Sequence, residues 1–287
     1  HEGLTELGQS VVNLLKKDKT KVLYLSGTPY NIMSEFGENR FTWTYEDEQE
    51  AKRKWPEDHP NEPNPYECLP TMNILAFDLA RDISDSYQYV TEDAAFNFRE
   101  FFRVWTGDPE KDFGPVPAEA KRGDFVYADD VYRFLTLLTK DSTDSNYPFA
   151  TEENRDMFRH TFWLVPGVKE AKALSAMIKS HPGFKDFEVV NIAGDGDEEQ
   201  PYDEELALIK SSIKAYDRTI TISCGKLTTG VTVREWTGIL MLAGSASTSA
   251  SGYMQAIFRV QSPGYINGKM KTNCYVFDFA PDRALRV

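Results

Sequence analysis

Cysteine and histidine are both scarce in this 287-residue chain, and long apolar runs are missing altogether. The three cysteines, Cys68, Cys224 and Cys274, are far apart and odd in number. That argues against a disulfide framework and fits a reducing cytoplasm. The four histidines, His1, His59, His160 and His181, never fall at metal-ligand spacing with a cysteine, so a structural zinc is not expected. Nothing approaches the roughly 20 apolar residues that span a bilayer. The chain opens "HEGLTELGQ" without an initiator Met or a signal-type apolar segment, and it reads as a piece of a longer protein. Basic residues are in the minority, 32 Lys and Arg against 45 Asp and Glu, for a net charge of −13. That argues against a broad basic face that grips nucleic acid by counterion release alone, and leaves room for a local groove.

A phosphate loop is also missing. "GKLTTG" at 225–230 follows an apolar run and looks like the end of one. Gly-x-x-x-x-Gly-Lys-Ser/Thr curls backbone N–H groups around phosphate oxygens and needs a hydroxyl directly after the lysine. Here Ile220 stands where the first glycine belongs and Leu227 follows Lys226. No other stretch matches.

What is present is ordinary globular composition, 41% hydrophobic and 27% charged, in a chain long enough for two domains. From residue 160 onward short apolar runs alternate with amphipathic helices. Thr161–Val165 is a buried strand, and after Pro166-Gly167 comes a helix with Val168, Ala171, Leu174, Met177 and Ile178 on one face. Phe187–Ile192 is a second strand. Pro201 and the acids Asp203, Glu204 and Glu205 open a helix whose buried stripe is Leu206, Ile209, Ile213 and Tyr216. Strands follow at Thr219–Ser223, Gly238–Leu242 and Asn273–Phe279. Such alternation predicts a parallel sheet flanked by helices, an α/β domain over residues 151–287.

Residues 1–150 read differently. Leu4–Leu15 has helical spacing, and Lys21–Leu25 is a strand leading into "SGTPYN". One strand cannot make a sheet, so its partners are expected upstream. Beyond it the chain is rich in aromatics and acids, with Pro-rich breaks at "WPEDHPNEPNPY" and "FGPVPAEA". Two helical stripes stand out, Phe98, Phe101, Phe102 and Trp105, then Val131, Phe134, Leu135 and Leu138. Both are read as core rather than as base-stacking platforms. The acidic runs "YEDEQE", "DSTDS" and "DGDEEQ" read as solvated loops.

Three segments fall at strand ends, where open parallel sheets bind ligands: "LSGTPYN", "CGKLTTGVTV" and "SGYMQAIFRVQSP". In this order they resemble the later motifs of the superfamily 2 helicases and translocases. "LSGTP" is similar to motif III, "TTGVTV" to motif V and "QAIFRVQSP" to motif VI. "FWLVPGVKEAKALSAMI" is similar to the strand and helix that start the second motor domain, and "HEGL" to the tail of a DExH motif. Within the superfamily, the aromatic-rich sequence after "SGTP" is similar to the motor of restriction-enzyme R subunits, type I or type III.

The resemblance implies a RecA-like fold: residues 1–150 as the end of a first motor domain with a mostly helical insert, and 151–287 as the second motor domain. It implies ATP and Mg²⁺ as cofactors of the full-length protein, with neither held by this piece alone, which is expected to be inactive by itself. Double-stranded DNA and the methyltransferase or specificity subunits of a restriction-modification system are the implied partners. Arg259 is the implied ATP-sensing charge, with Gln255 one helical turn earlier on the same face. Ser26, Gly27, Thr28, Thr228, Thr229 and Gly230 are implied to couple nucleotide state to a DNA phosphate. Phe258 stands where motif VI has glycine and Ser262 where it has a second arginine, so either Arg259 acts alone or another basic residue such as Arg234 substitutes. Two other readings stand beside this one. A Rossmann-like enzyme would want Gly-x-Gly-x-x-Gly, and "VPGVKEAK" has one glycine. A non-catalytic α/β module binding nucleic acid or protein fits the acidic composition. No nuclease signature is visible; "FAPDRAL" lacks the acid-x-Lys that would follow.

Overall fold

"TITIS" at 219–223 is buried at every position, the mark of a strand covered on both faces of a parallel sheet. The computed structural model describes residues 10, 14, 19, 21, 23–28, 33–79, 83, 96–110, 112, 119–141, 146–194, 202–225, 232–243 and 250–280. Its main sheet has six parallel strands: β1 (Thr71–Ala76), β2 (His160–Leu164), β3 (Glu188–Asn191), β4 (Thr219–Ser223), β5 (Gly238–Met241) and, after a small hairpin, β8 (Asn273–Asp278), in the order β1-β8-β5-β2-β4-β3. The hairpin pairs β6 (Tyr265–Ile266) with β7 (Lys269–Met270) through Asn267 and Gly268, both at positive φ.

Alternation across the pleat sorts the side chains into two cores. Trp163, Val189, Leu240 and Phe277 face one side, Phe162, Val190, Ile239 and Val276 the other. The first side is covered by the helices Ala128–Thr139 and Val168–Ser180 and by a cluster of phenylalanines from residues 96–149. The second is covered by Ile209 of the helix Tyr202–Ala215 and by Tyr253, Ala256 and Ile257 of the helix Ala250–Ile257. The α/β architecture expected from the alternation is therefore the one observed. β1 comes from the segment assigned above to the first motor domain, yet it forms the sheet edge against β8.

Several expectations are corrected. Lys21 and Leu23–Leu25 form no strand, and Leu23 and Leu25 are 80% and 86% exposed; no described strand lies beside them to complete a ladder. Ser10 and Leu14 are helical, while the rest of Leu4–Leu15 lies outside the described residues. "YEDEQE" is not a loop but the first half of a helix, Tyr45–Asp58. Thr44 starts it with a capping box, its Oγ1 accepting from Asp47 N at 3.2 Å while its own N–H donates to Asp47 Oδ2 at 2.8 Å. Pro56 cannot donate to the Lys52 carbonyl, and the Asn64 side-chain amide donates there instead, at 2.8 Å. Phe98, Phe101 and Phe102 are core as expected, but Trp105 is off the helix: the bridge between Val104 and Phe125 pulls the chain into extended form. Tyr216 lies past the end of its helix and is 51% exposed. "DGDEEQ", and all of "DSTDS" but Asp141, lie outside the described residues.

His160 at the start of β2 is buried, with Nδ1 at 3.0 Å from Thr219 Oγ1. Burial, aided by the Arg159 charge, pushes its imidazole down to about 4. The folded state thus refuses a proton that the unfolded chain accepts below about 6.5. Stability from this group is complete above pH 6.5 and falls as the pH drops toward 4, by roughly 3 kcal/mol at about 1.4 kcal/mol per unit. Urea denaturation at pH 7.5 and 4.5 is expected to show a smaller acid loss for His160→Gln than for the native chain.

Candidate functional site

The helix Ala250–Ile257 buries Tyr253, Ala256 and Ile257 against the sheet, which turns Ser251 and Gln255, four residues apart, toward another neighbour. That neighbour is the "SGT" turn. Thr28 Oγ1 accepts from Ser251 Oγ at 2.8 Å and from Gln255 Nε2 at 3.1 Å. The two donors also approach each other, at 3.4 Å. Ser26 shapes the turn by accepting the Thr28 N–H on its Oγ at 3.2 Å. Ser26 and Gly27 are exposed and Thr28 is half-buried. Two segments 223 to 227 residues apart in sequence thus meet through three polar side chains.

Arg259 lies on the 3₁₀ continuation of that helix, Phe258–Gln261, and is half-buried. Its Nε donates to the Gln255 carbonyl at 3.1 Å. Gln255 therefore touches Thr28 through its side chain and Arg259 through its backbone. The fold brings together Thr28, Gln255 and Arg259 from the sequence candidates. Thr228, Thr229 and Gly230 lie outside the described residues; the chain is last seen before them at Gly225, whose φ of +94° suits glycine. Arg234, the alternative basic residue, is exposed on the turn before β5.

Sequence reasoning missed Ser251, although its i,i+4 spacing to Gln255 carried the signal. It also missed the brace behind the site. The helix Tyr45–Asp58 holds the 3₁₀ segment Phe258–Gln261: Gln261 Nε2 donates to Glu48 Oε1 at 2.7 Å, and the Tyr45 ring lies 6.4 Å from that of Phe258. The same helix grips β1, with Tyr45 Oη accepting from Met72 N at 2.7 Å and Gln49 Oε1 accepting from Thr71 Oγ1 at 2.9 Å. Burial raises the Tyr45 phenol, which stays a neutral hydroxyl there. On the far side Lys271 is buried, and its Nζ donates to the Arg234 and Trp236 carbonyls at 2.9 and 3.0 Å. Burial lowers its ammonium to about 8 and raises the nearby Cys274 thiol to about 12. Cys274 is thus a protonated core residue rather than a nucleophile.

The chain is 32% identical over 289 aligned residues to a Mycoplasma pneumoniae protein described as the C-terminus of a type II restriction enzyme and methyltransferase. The match takes in 93% of this chain, and the chain spans 38% of that relative's length. No protein-family profile matches. Among solved structures, the ATP-dependent Type ISP restriction-modification enzyme LlaBIII bound to DNA aligns with 79% of this chain and 12% of its own, at 12% identity. The TM-score is 0.35. The molecule is thus a parallel α/β protein with helices on both faces of its sheet, related in sequence to a restriction-modification protein. Among the described residues no helix is long and apolar enough to cross a membrane.

Proposed function

We propose that this chain is the motif III to motif VI part of a RecA-like, ATP-dependent DNA translocase motor belonging to a restriction-modification enzyme. Residues 1–150 would carry the end of the first motor domain and its insert, and 151–287 the second. The observation that carries the reading is the contact of Thr28 with Ser251 and Gln255. It joins the two segments that resemble motifs III and VI, and the sequence relation to a restriction enzyme supports the same assignment.

In this reading double-stranded DNA is the track, and methyltransferase or specificity subunits are the partners. ATP would supply the phosphoryl-transfer free energy in the full-length protein, and Mg²⁺ would offset the charge on its phosphates. The sequence contains no phosphate loop, and among the described residues there is no cluster of metal-ligating side chains. In this reading this chain's share is a charge and a coupling contact. Arg259 would present its guanidinium where negative charge grows in the transition state. Gln255, bonded to both Thr28 and Arg259, would pass a shift of one to the other. Thr228, Thr229 and backbone N–H groups at Gly230 would hold a DNA phosphate without adding net charge.

Thr28→Val in the full-length protein tests the coupling. It keeps the shape and removes the oxygen that accepts both hydrogen bonds. DNA-stimulated ATP hydrolysis is expected to fall roughly 5- to 150-fold, from the loss of two bonds contributing about 0.5–1.5 kcal/mol each. Thr28→Ser should restore it. Undiminished turnover in the valine variant would remove the coupling role.

A further inference from the structure

A concave site that includes none of Thr28, Ser251 or Gln255 lies along the helix Tyr45–Asp58. Its cavity is about 380 Å³, within the usual range of small-ligand pockets. Aromatic rings form its walls. Trp43 stacks on Tyr66 at 6.0 Å between centroids, Tyr66 meets Trp55 edge-on at 5.9 Å, and Trp55 stacks on His59 at 4.0 Å. Trp43 remains 51% exposed, and Phe41, stacked on it at 6.4 Å, is 85% exposed. Rings of this size left in water represent a cost that a monomer usually avoids.

The rim is acidic. Asp47, Glu50 and Asp58 line the cavity beside Lys54 and His59, and His59 faces Glu62 at 3.7 Å. The Lys54 ammonium is already taken by Glu50 in an i,i+4 pair. Asp47 accepts from the Thr44 N–H and hydroxyl, which hold its carboxyl below the usual range, so it is fully ionised. Asp58 forms no ion pair among the described residues. Three carboxylates thus share one lysine beside the aromatic rings, with Asp58 as well as Glu50 drawing on the Lys54 charge.

This charge pattern chooses among ligands. A nucleobase would find stacking partners, but its phosphates would meet an excess of acids, Asp47, Glu50 and Asp58 against Lys54. A neutral apolar group would gain from the rings and nothing from the carboxylates. A cation gains from both, because the negative π-faces attract positive charge and the acids add to it. We propose that this pocket binds an organic cation, a guanidinium or alkylammonium group. An arginine or lysine side chain of a protein segment and a free quaternary ammonium compound share that chemistry.

The test follows ¹⁹F resonances of the 287-residue chain labelled with 5-fluorotryptophan, assigned by single Trp→Phe variants. It is titrated separately with tetramethylammonium chloride, N-acetylarginine amide and the neutral N-acetylnorleucine amide. The Trp43 and Trp55 signals are expected to shift saturably with at least one of the two cations and not with the neutral amide. Tighter binding of the arginine derivative assigns the pocket to a protein side chain, and tighter binding of tetramethylammonium to a free compound; either supports the proposal. Trp43→Ala should weaken binding about 10-fold or more and Asp58→Asn about 3- to 10-fold. Both positions are exposed, so the other Trp signals should stay in place as a check on folding. The proposal is overturned if neither cation produces a saturable shift, if the neutral amide binds equally well, or if a short oligothymidylate fills the pocket in their stead.

Discussion

Arg259→Ala in the full-length protein is expected to reduce DNA-stimulated ATP hydrolysis by roughly 10³-fold or more, with DNA binding within a factor of about two. An arginine that meets transferring phosphate contributes roughly 10³–10⁵ in rate in phosphoryl-transfer enzymes, because its charge acts where water is excluded. The structural cost of the change is small by comparison. Arg259 is half-buried, and its Nε bond to the Gln255 carbonyl contributes about 1 kcal/mol. Arg259→Lys keeps the charge without the planar fork and should recover only part of the rate. The measurement pairs steady-state ATPase with a DNA-binding titration at fixed salt. Unchanged ATPase in the alanine variant would remove the motor reading and leave the non-catalytic α/β module in its place.

The largest stability effect is expected at Phe134. Its ring is fully buried and meets Phe279 edge-on at 5.3 Å, Phe101 at 6.0 Å and Phe102 at 6.3 Å. Phe279 follows the sheet strand β8, while Phe101 and Phe102 belong to the helical layer. Phe134 therefore joins that layer to the sheet. Removing a buried phenylalanine costs about 3–5 kcal/mol, part from lost transfer and part from the cavity left behind. That is a large share of the roughly 5–15 kcal/mol that holds a domain folded. Chemical denaturation of the 287-residue chain should show a correspondingly lower midpoint for Phe134→Ala, and a much smaller change for Phe134→Leu. A loss below about 1 kcal/mol for the alanine variant would mean that the helical layer and the sheet do not share one core.

Most of the C-terminal sheet was legible because its signal is local. "TITIS", "GILM" and "NCYVFD" are continuous apolar or β-branched runs of strand length, and the helix with Ala171, Leu174 and Ile178 repeats at helical spacing. The N-terminal half was less legible, for physical reasons. "TMNILA" of β1 mixes polar and apolar residues because it is an edge strand, exposed at Thr71, Ile74 and Ala76. The helix Tyr45–Asp58 has an acidic, mostly polar sequence with a proline inside. Its start depends on a Thr44–Asp47 capping box that is easily read as loop chemistry.

The candidate site divides in the same way. Gln255 and Arg259 were paired by helical periodicity, which needs no tertiary information. That Thr28 would be the oxygen both Ser251 and Gln255 reach for could not be read locally, since the contact closes a loop of more than 220 residues. The aromatic pocket likewise needs Trp43, Trp55 and Tyr66 to converge through a helix and the turn after it. By itself the sequence determined most strands and helices of residues 160–279, because backbone geometry and apolar spacing act over a few residues. Only the tertiary structure decided which polar side chains meet and which edge strand the sheet recruits. Those outcomes depend on packing two cores against opposite faces of one sheet, and no short window of sequence contains both.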